Sequence, residues 1–184
     1  MTPGDSSADD DLPTSDHVVA EFRRALDKPE HPSPRNLVGQ LIDLLRSNLA
    51  QWNWEDEARD SGADDAAVAE AKRAIDQLNA GRHHLVEEID TAIDRTVRQT
   101  ASAPLATESP AMAFDRLSVL VIRIRHAERV AGEGAPDADL YAARLPVLYR
   151  QLADLQQAVD GLTADVREGT RRFVPYQSLK MYGQ

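Results

Sequence analysis

The sequence predicts an all-α protein: an antiparallel bundle of four long helices, a short N-terminal helix before it and an extended C-terminal tail. Three observations predict this. Apolar residues recur at steps of three and four over long segments. Prolines and glycines fall between those segments. The single β-branched run has no partner strand anywhere else in the chain. With 184 residues, 42% of them hydrophobic, the chain has one domain's worth of sequence and enough apolar material for a core.

The first helix is expected at about 17–27, capped by Asp16, with Val18, Val19, Phe22 and Leu26 on its apolar face. Pro29, Pro32 and Pro34 enforce its end. Asn36 then caps a helix of about 37–60. Its stripe is Leu37, Leu41, Leu44, Leu45, Leu49 and Trp52, and Asp60-Ser61-Gly62 ends it. The third helix, about Asp64 to Thr100, carries Val68, Ala71, Ile75, Leu78, Leu85, Ile89 and Ile93. One place in that stripe, position 82, holds an arginine, and Gly81 beside it marks a site for a kink or break.

A Pro- and Ser-containing loop at 101–110 leads into the segment 111–130. Leu117, Val119, Leu120, Val121, Ile122 and Ile124 make it apolar nearly all round, so it should be the most buried element. Periodicity alone leaves helix and buried strand open here, and the missing partner strand selects helix. Gly132, Gly134 and Pro136 form a turn. The last helix, about 137–170, carries Leu140, Leu145, Leu148, Leu152, Leu155, Val159, Leu162 and Val166, with Pro146 placed to bend it.

The charge is uneven. The formal total is -10, and five aspartates with no lysine or arginine put half of that excess into residues 1–16. We read 1–14 as a disordered acidic head, 15–170 as the bundle domain and 171–184 as an extended aromatic and basic tail. The body between head and tail is strongly acidic, which argues against nucleic acid as a partner. Zero cysteines exclude disulfides, thiolate metal sites and cysteine nucleophiles. No apolar run approaches the length of a membrane span and no basic-then-apolar leader is present, so a cytoplasmic location without membrane insertion is expected.

Several polar residues sit where a core does not need them. Arg82 lies in the middle of its helix's apolar stripe, and a buried arginine requires a carboxylate or several acceptors. Glu55 and Asp56, close to Arg59 on the preceding helix, are the candidate partners. Arg82 then either fixes helix register in an ion pair, reads an anion in a cleft, or reaches solvent along the stripe. A second stripe of Lys72, Asp76, Asn79, His83, Glu87 and Asp90 falls within about 60° of arc beside the first. It reads as a site lining or as a solvated face stitched by spacing-four pairs. Asp115, Ser118 and Arg125 project together from the otherwise apolar fourth helix, as a core network or as part of the same cleft.

Enzymatic templates fit poorly. A di-metal carboxylate bundle needs Glu-x-x-His on two helices, and that spacing does not occur in the chain. The magnesium pattern of an all-α nucleotide pyrophosphatase is matched only in its second half, by Glu87-x-x-Asp90. No glycine-rich phosphate loop, nucleophile elbow or zinc motif is found. In the tail, Phe173, Tyr176 and Tyr182 accompany Arg171, Arg172 and Lys180. That mixture suits recognition, or burial of the rings against the bundle.

Four dispersed blocks also resemble a known family. They are Glu55-Asp56-x-Ala58-Arg59; Lys72-x-x-Ile75-Asp76-x-Leu78-Asn79-x-x-Arg82 with Glu87-x-Ile89-Asp90; Ser109-Pro110-Ala111-Met112 with Asp115-Arg116-Leu117-Ser118-Val119-Leu120 and Arg125-His126; and Leu179-Lys180-Met181-Tyr182. In that order, over about 36–183, they resemble the bacterial domain of unknown function 4254. His83-His84 departs from the Asn-Asp more usual there. The resemblance implies an all-helical protein and a place beside sugar-transferring enzymes of surface-polysaccharide assembly. It brings no assigned activity and no catalytic residues.

The functional expectation is an accessory binding protein without a cofactor. Its cleft would be formed by Glu55, Asp56, Arg59, Asp76, Asn79, Arg82, Asp115, Ser118 and Arg125, and it would hold an anionic small molecule or a protein partner. The first alternative is a metal-dependent hydrolase of a nucleotide or nucleotide-sugar, with Glu55, Glu87 and Asp90 holding a divalent metal. The second is a structural homo-oligomer. Whether the chain is an enzyme is left open at this point.

Overall fold

The structure, a computed structural model, describes residues 12–59, 64–134 and 136–178. Among them the chain forms five helices: α1 (Ser15–Asp27), α2 (Leu37–Ala58), α3 (Asp65–Thr96), α4 (Pro110–Gly132) and α5 (Ala138–Glu168). No strand occurs among these residues, only an isolated bridge between Leu105 and Arg172. Most of the expected acidic head and the end of the expected tail, with Lys180 and Tyr182, lie outside the described residues, as does the Asp60-Ser61-Gly62 turn. The end of the head that is described is tied down: Leu12 is buried, and Thr14 caps α1.

Side-chain caps set the starts of α1 to α4. Thr14, rather than the expected Asp16, accepts from the His17 amide at 3.3 Å. Asp16 instead accepts from Gln156 of α5 at 2.7 Å, one residue from where Ser15 donates twice, through its N–H and its hydroxyl, to the Asp160 carboxylate. These bonds dock α1 against α5. Asn36 caps α2 through the Gly39 amide at 3.0 Å. The chain folds so tightly there that a Cβ on Gly39 would lie 1.7 Å from the Pro34 carbonyl oxygen, which only glycine permits. Asp64 caps α3, and Ser109 caps α4 with Pro110 in its first turn. Gly169, with φ 71°, closes α5 in the left-handed conformation.

Neither expected weak point breaks a helix. Helix α3 passes through Gly81, and α5 is continuous through Pro146. Space around Gly81 is open, so its cost is the propensity penalty of about 1 kcal/mol, which the rest of a long helix carries.

Helices α2 and α3 form one hairpin, α4 and α5 another. Helix α4 is the hub. It packs on all four other helices and buries twelve residues, more than any of them. Phe22, Leu41, Leu44, Leu45, Ile89, Ile93, Phe114, Leu117 and Ile124 make the fully buried centre. Helix α5 rests on α4 and α1 but makes no contact with α2 or α3. Two features follow. An open groove runs over α4 between α3 and α5, and no residue of α5 before Leu152 is buried.

Candidate functional site

The polar centre of the molecule is built from three helices. Asp115, on the hub helix, is buried, and its carboxylate accepts from Arg82 Nε at 3.0 and 3.1 Å and from Arg82 Nη2. Asn48 of α2 donates from Nδ2 to the same carboxylate at 2.8 Å and to Ser118 Oγ at 2.7 Å. The Ser118 hydroxyl donates in turn to the Asp115 backbone carbonyl at 2.8 Å. The fork of the guanidinium suits the two carboxylate oxygens, and each buried polar group finds a partner. The bond to Asp115 holds the Arg82 pKa above its ordinary value although burial opposes it.

Arg82 therefore pairs with Asp115 and not with the expected Glu55 or Asp56. Those two turn to Arg59 on their own helix, at 3.0 and 3.4 Å. Helical spacings of four and three make that pairing local, and the trio stands on the exposed end of α2.

Only part of the Arg82 side chain is covered, and its open side faces the groove between α3 and α5. This groove has a volume of about 710 Å³. Its floor is α4, with Arg116, Val119, Leu120 and Arg123. Its far wall is α5, with Gln151, Asp154, Leu155 and Leu162. Three guanidinium groups thus line one cleft. Asp115 compensates Arg82, and Glu108 compensates Arg116 at 2.6 Å. Arg123 is exposed and has no ion-pair or hydrogen-bond partner among the described residues, and Asp154 across the groove is exposed as well.

A smaller cavity of about 420 Å³ continues the seam between α4 and α5, and Arg123 and Gln151 line both. Its walls carry three half-buried rings. The His126 ring lies 5.6 Å from that of Trp52 and 5.5 Å from that of Tyr141. The Arg144 guanidinium sits 5.6 Å from the Tyr141 ring centre.

The tail is held against α3 and the loop before α4. The Arg172 carbonyl accepts from the Ala106 N–H at 2.8 Å, the Arg172 N–H donates to the Pro104 carbonyl at 3.0 Å, and Phe173 is buried. The tail amides then donate to side chains of α3 and of the loop that follows it: Phe173 to Gln99 of the loop at 2.7 Å, Tyr176 to Asp90 at 2.9 Å and Ser178 to Glu87 at 3.3 Å. Asp90 is fully buried. One of its oxygens accepts from Tyr176, the other from the Ala111 amide at 2.9 Å. Burial raises its pKa above the ordinary carboxylate value, while the bonds from Ser109, Tyr176 and Ala111 pull the other way.

The family model described as Protein of unknown function (DUF4254) matches residues 39–174. The chain belongs to this family. No curated protein and no solved structure matches it. In this DUF4254 chain the matched span runs from the first turn of α2 into the tail. It contains Asn48, Arg82, Asp115, Ser118, Arg116 and Arg123, so both the polar centre and the groove belong to the family domain.

Of the residues singled out in the sequence, the fold brings Arg82, Asp115 and Ser118 together and separates the rest. Arg125, two turns beyond Ser118 along α4, pairs instead with Asp27 of α1 at 2.7 Å. Asp76 is exposed and Asn79 half-buried on α3, and neither lines the groove. Among the described residues no group of three His, Asp or Glu side chains is placed to hold a metal ion. Glu55 bonds to Arg59, while Glu87 and Asp90 bond to the tail. Asn48, Arg116 and Arg123 were not picked out as site residues. Arg116 and Arg123 had a readable signal, a spacing of seven that puts both on one face of α4 with Val119 and Leu120 between them. Asn48 had none, because its partners lie more than sixty residues away.

Among the described residues no helix is long and apolar enough to cross a membrane.

Proposed function

We propose that this DUF4254 protein is a cytoplasmic accessory binding protein of surface-polysaccharide or glycan assembly, and that it holds an anionic small molecule in the groove between α3 and α5. The observation that carries the reading is Arg123. A guanidinium without a carboxylate partner, beside Arg116 and the half-covered Arg82, is a ready anion receptor in an otherwise acidic protein. The buried network behind it supports the reading because it locks Arg82 and leaves the α4 face rigid. The link to glycans rests on the family resemblance.

Calorimetric titration of the full chain with inorganic pyrophosphate tests this. Binding is expected, and Arg123→Gln should weaken it at least about tenfold without changing the melting temperature. No binding at millimolar pyrophosphate would reject the reading.

A second reading, self-association, draws on the uncovered half of α5. Leu140, Val147 and Tyr149 are exposed there. A concentration-independent monomer mass in light scattering would exclude it.

A further inference from the structure

We infer that the ring-lined cavity beside the groove takes a flat heterocycle, so that the ligand spanning both is a nucleoside diphosphate. The inference rests on the anion reading above and goes beyond it. Three observations carry it. First, Trp52, His126 and Tyr141 gather at one place on three different helices, with neighbouring ring centres 5.5–5.6 Å apart and none of the rings fully buried. Half-buried aromatic rings lining a cavity are a stacking surface, and a nucleobase presents a π-face whatever its identity. Second, the two cavities are joined. Arg123 lines both, so a group stacked on the rings continues directly to a cation. Arg116 follows two helical turns on, about 10 Å along α4, which suits an extended anion better than a single compact one. Third, the opposite wall supplies what a ribose needs. Gln151 lines both cavities and Asp154 stands one turn further along α5, so a carboxamide and a carboxylate can accept from sugar hydroxyls. Asp154 also explains why the wall facing Arg123 is acidic: a ligand with hydroxyls on one edge and phosphates on the other reads both signs.

The test compares inorganic pyrophosphate, uridine, UDP and ADP by calorimetry on the full chain. The tighter of the two diphosphates is expected to bind at least about tenfold more strongly than pyrophosphate. Tyr141→Ala should remove that advantage and leave pyrophosphate affinity unchanged, because Tyr141 lies on the thinly packed half of α5 and touches only the ring cavity. If pyrophosphate binds and neither diphosphate binds more tightly, the inference is overturned and the anion reading survives. A diphosphate advantage that persists in Tyr141→Ala also overturns it. If pyrophosphate fails, the anion reading falls, and the inference then survives only if a diphosphate binds more tightly than uridine and Tyr141→Ala weakens it; uridine binding as tightly as the diphosphates overturns it. If nothing binds, both fall.

Discussion

Replacing Arg82 by leucine isolates the energetic role of the polar centre. Asp115 is 6% exposed and sits on the hub helix, so it cannot turn out to water when its guanidinium partner is removed. The substitution takes away the paired charge and the bonds that Nε and Nη2 donate to the carboxylate. Removing one partner of a fully buried pair costs about 3–5 kcal/mol. Two features reduce the figure here. The Arg82 side chain is 28% exposed, so water from the groove enters part of the vacated space. Asn48 also continues to donate to Asp115. We therefore expect a loss of about 2–4 kcal/mol. With a urea slope of about 2 kcal/mol/M, the unfolding midpoint should fall by about 1–2 M at unchanged slope. The double variant Arg82→Leu with Asp115→Leu should recover much of the loss, since the stranded carboxylate is gone and two apolar side chains replace the pair. Urea titration followed by circular dichroism measures the two single variants, Arg82→Leu and Asp115→Leu, and the double. A change of less than about 0.5 kcal/mol for Arg82→Leu, or a double variant as unstable as the two singles combined, would refute this account.

Asp90 should make stability depend on pH. Its folded pKa lies above the ordinary value, so its stabilising contribution is full below the normal carboxylate range and is lost as pH rises through the folded value. Asp90→Asn should flatten that segment of the stability profile, and it should speed hydrogen exchange at one of the two amides that Asp90 accepts from, Ala111 or Tyr176, because a carboxamide keeps a single acceptor oxygen. Gly39→Ala forces a Cβ against the Pro34 carbonyl and should cost about 1–3 kcal/mol in thermal or urea unfolding. Phe114→Ala empties a fully buried site on the hub helix and should cost about 3–5 kcal/mol by the same assays.

The sequence by itself determined the helices. Apolar periodicity, side-chain caps on α1 to α4 and the prolines and glycines between segments are interactions within a few residues that need no knowledge of the fold. It also marked α4 as the buried element, because a segment apolar on all sides has nowhere to go but the centre. It singled out Arg82 as requiring a partner for the same reason: an arginine in an apolar stripe conflicts with its own surroundings. Which partner answers that need was a tertiary decision. Distance along the chain does not choose among them: local pairing with Arg59 satisfies Glu55 and Asp56, and Asp115 reaches Arg82 because α4 packs on both members of the first hairpin. The tail shows the same division. Glu87 and Asp90 read as ligands by spacing, but spacing says only that they share a face, and the strand of backbone that crosses that face comes from more than eighty residues away. The groove itself has no sequence signature. It exists because α5 leans on α4 and α1 and never meets α3, and helix packing between segments distant in the chain is what decides that.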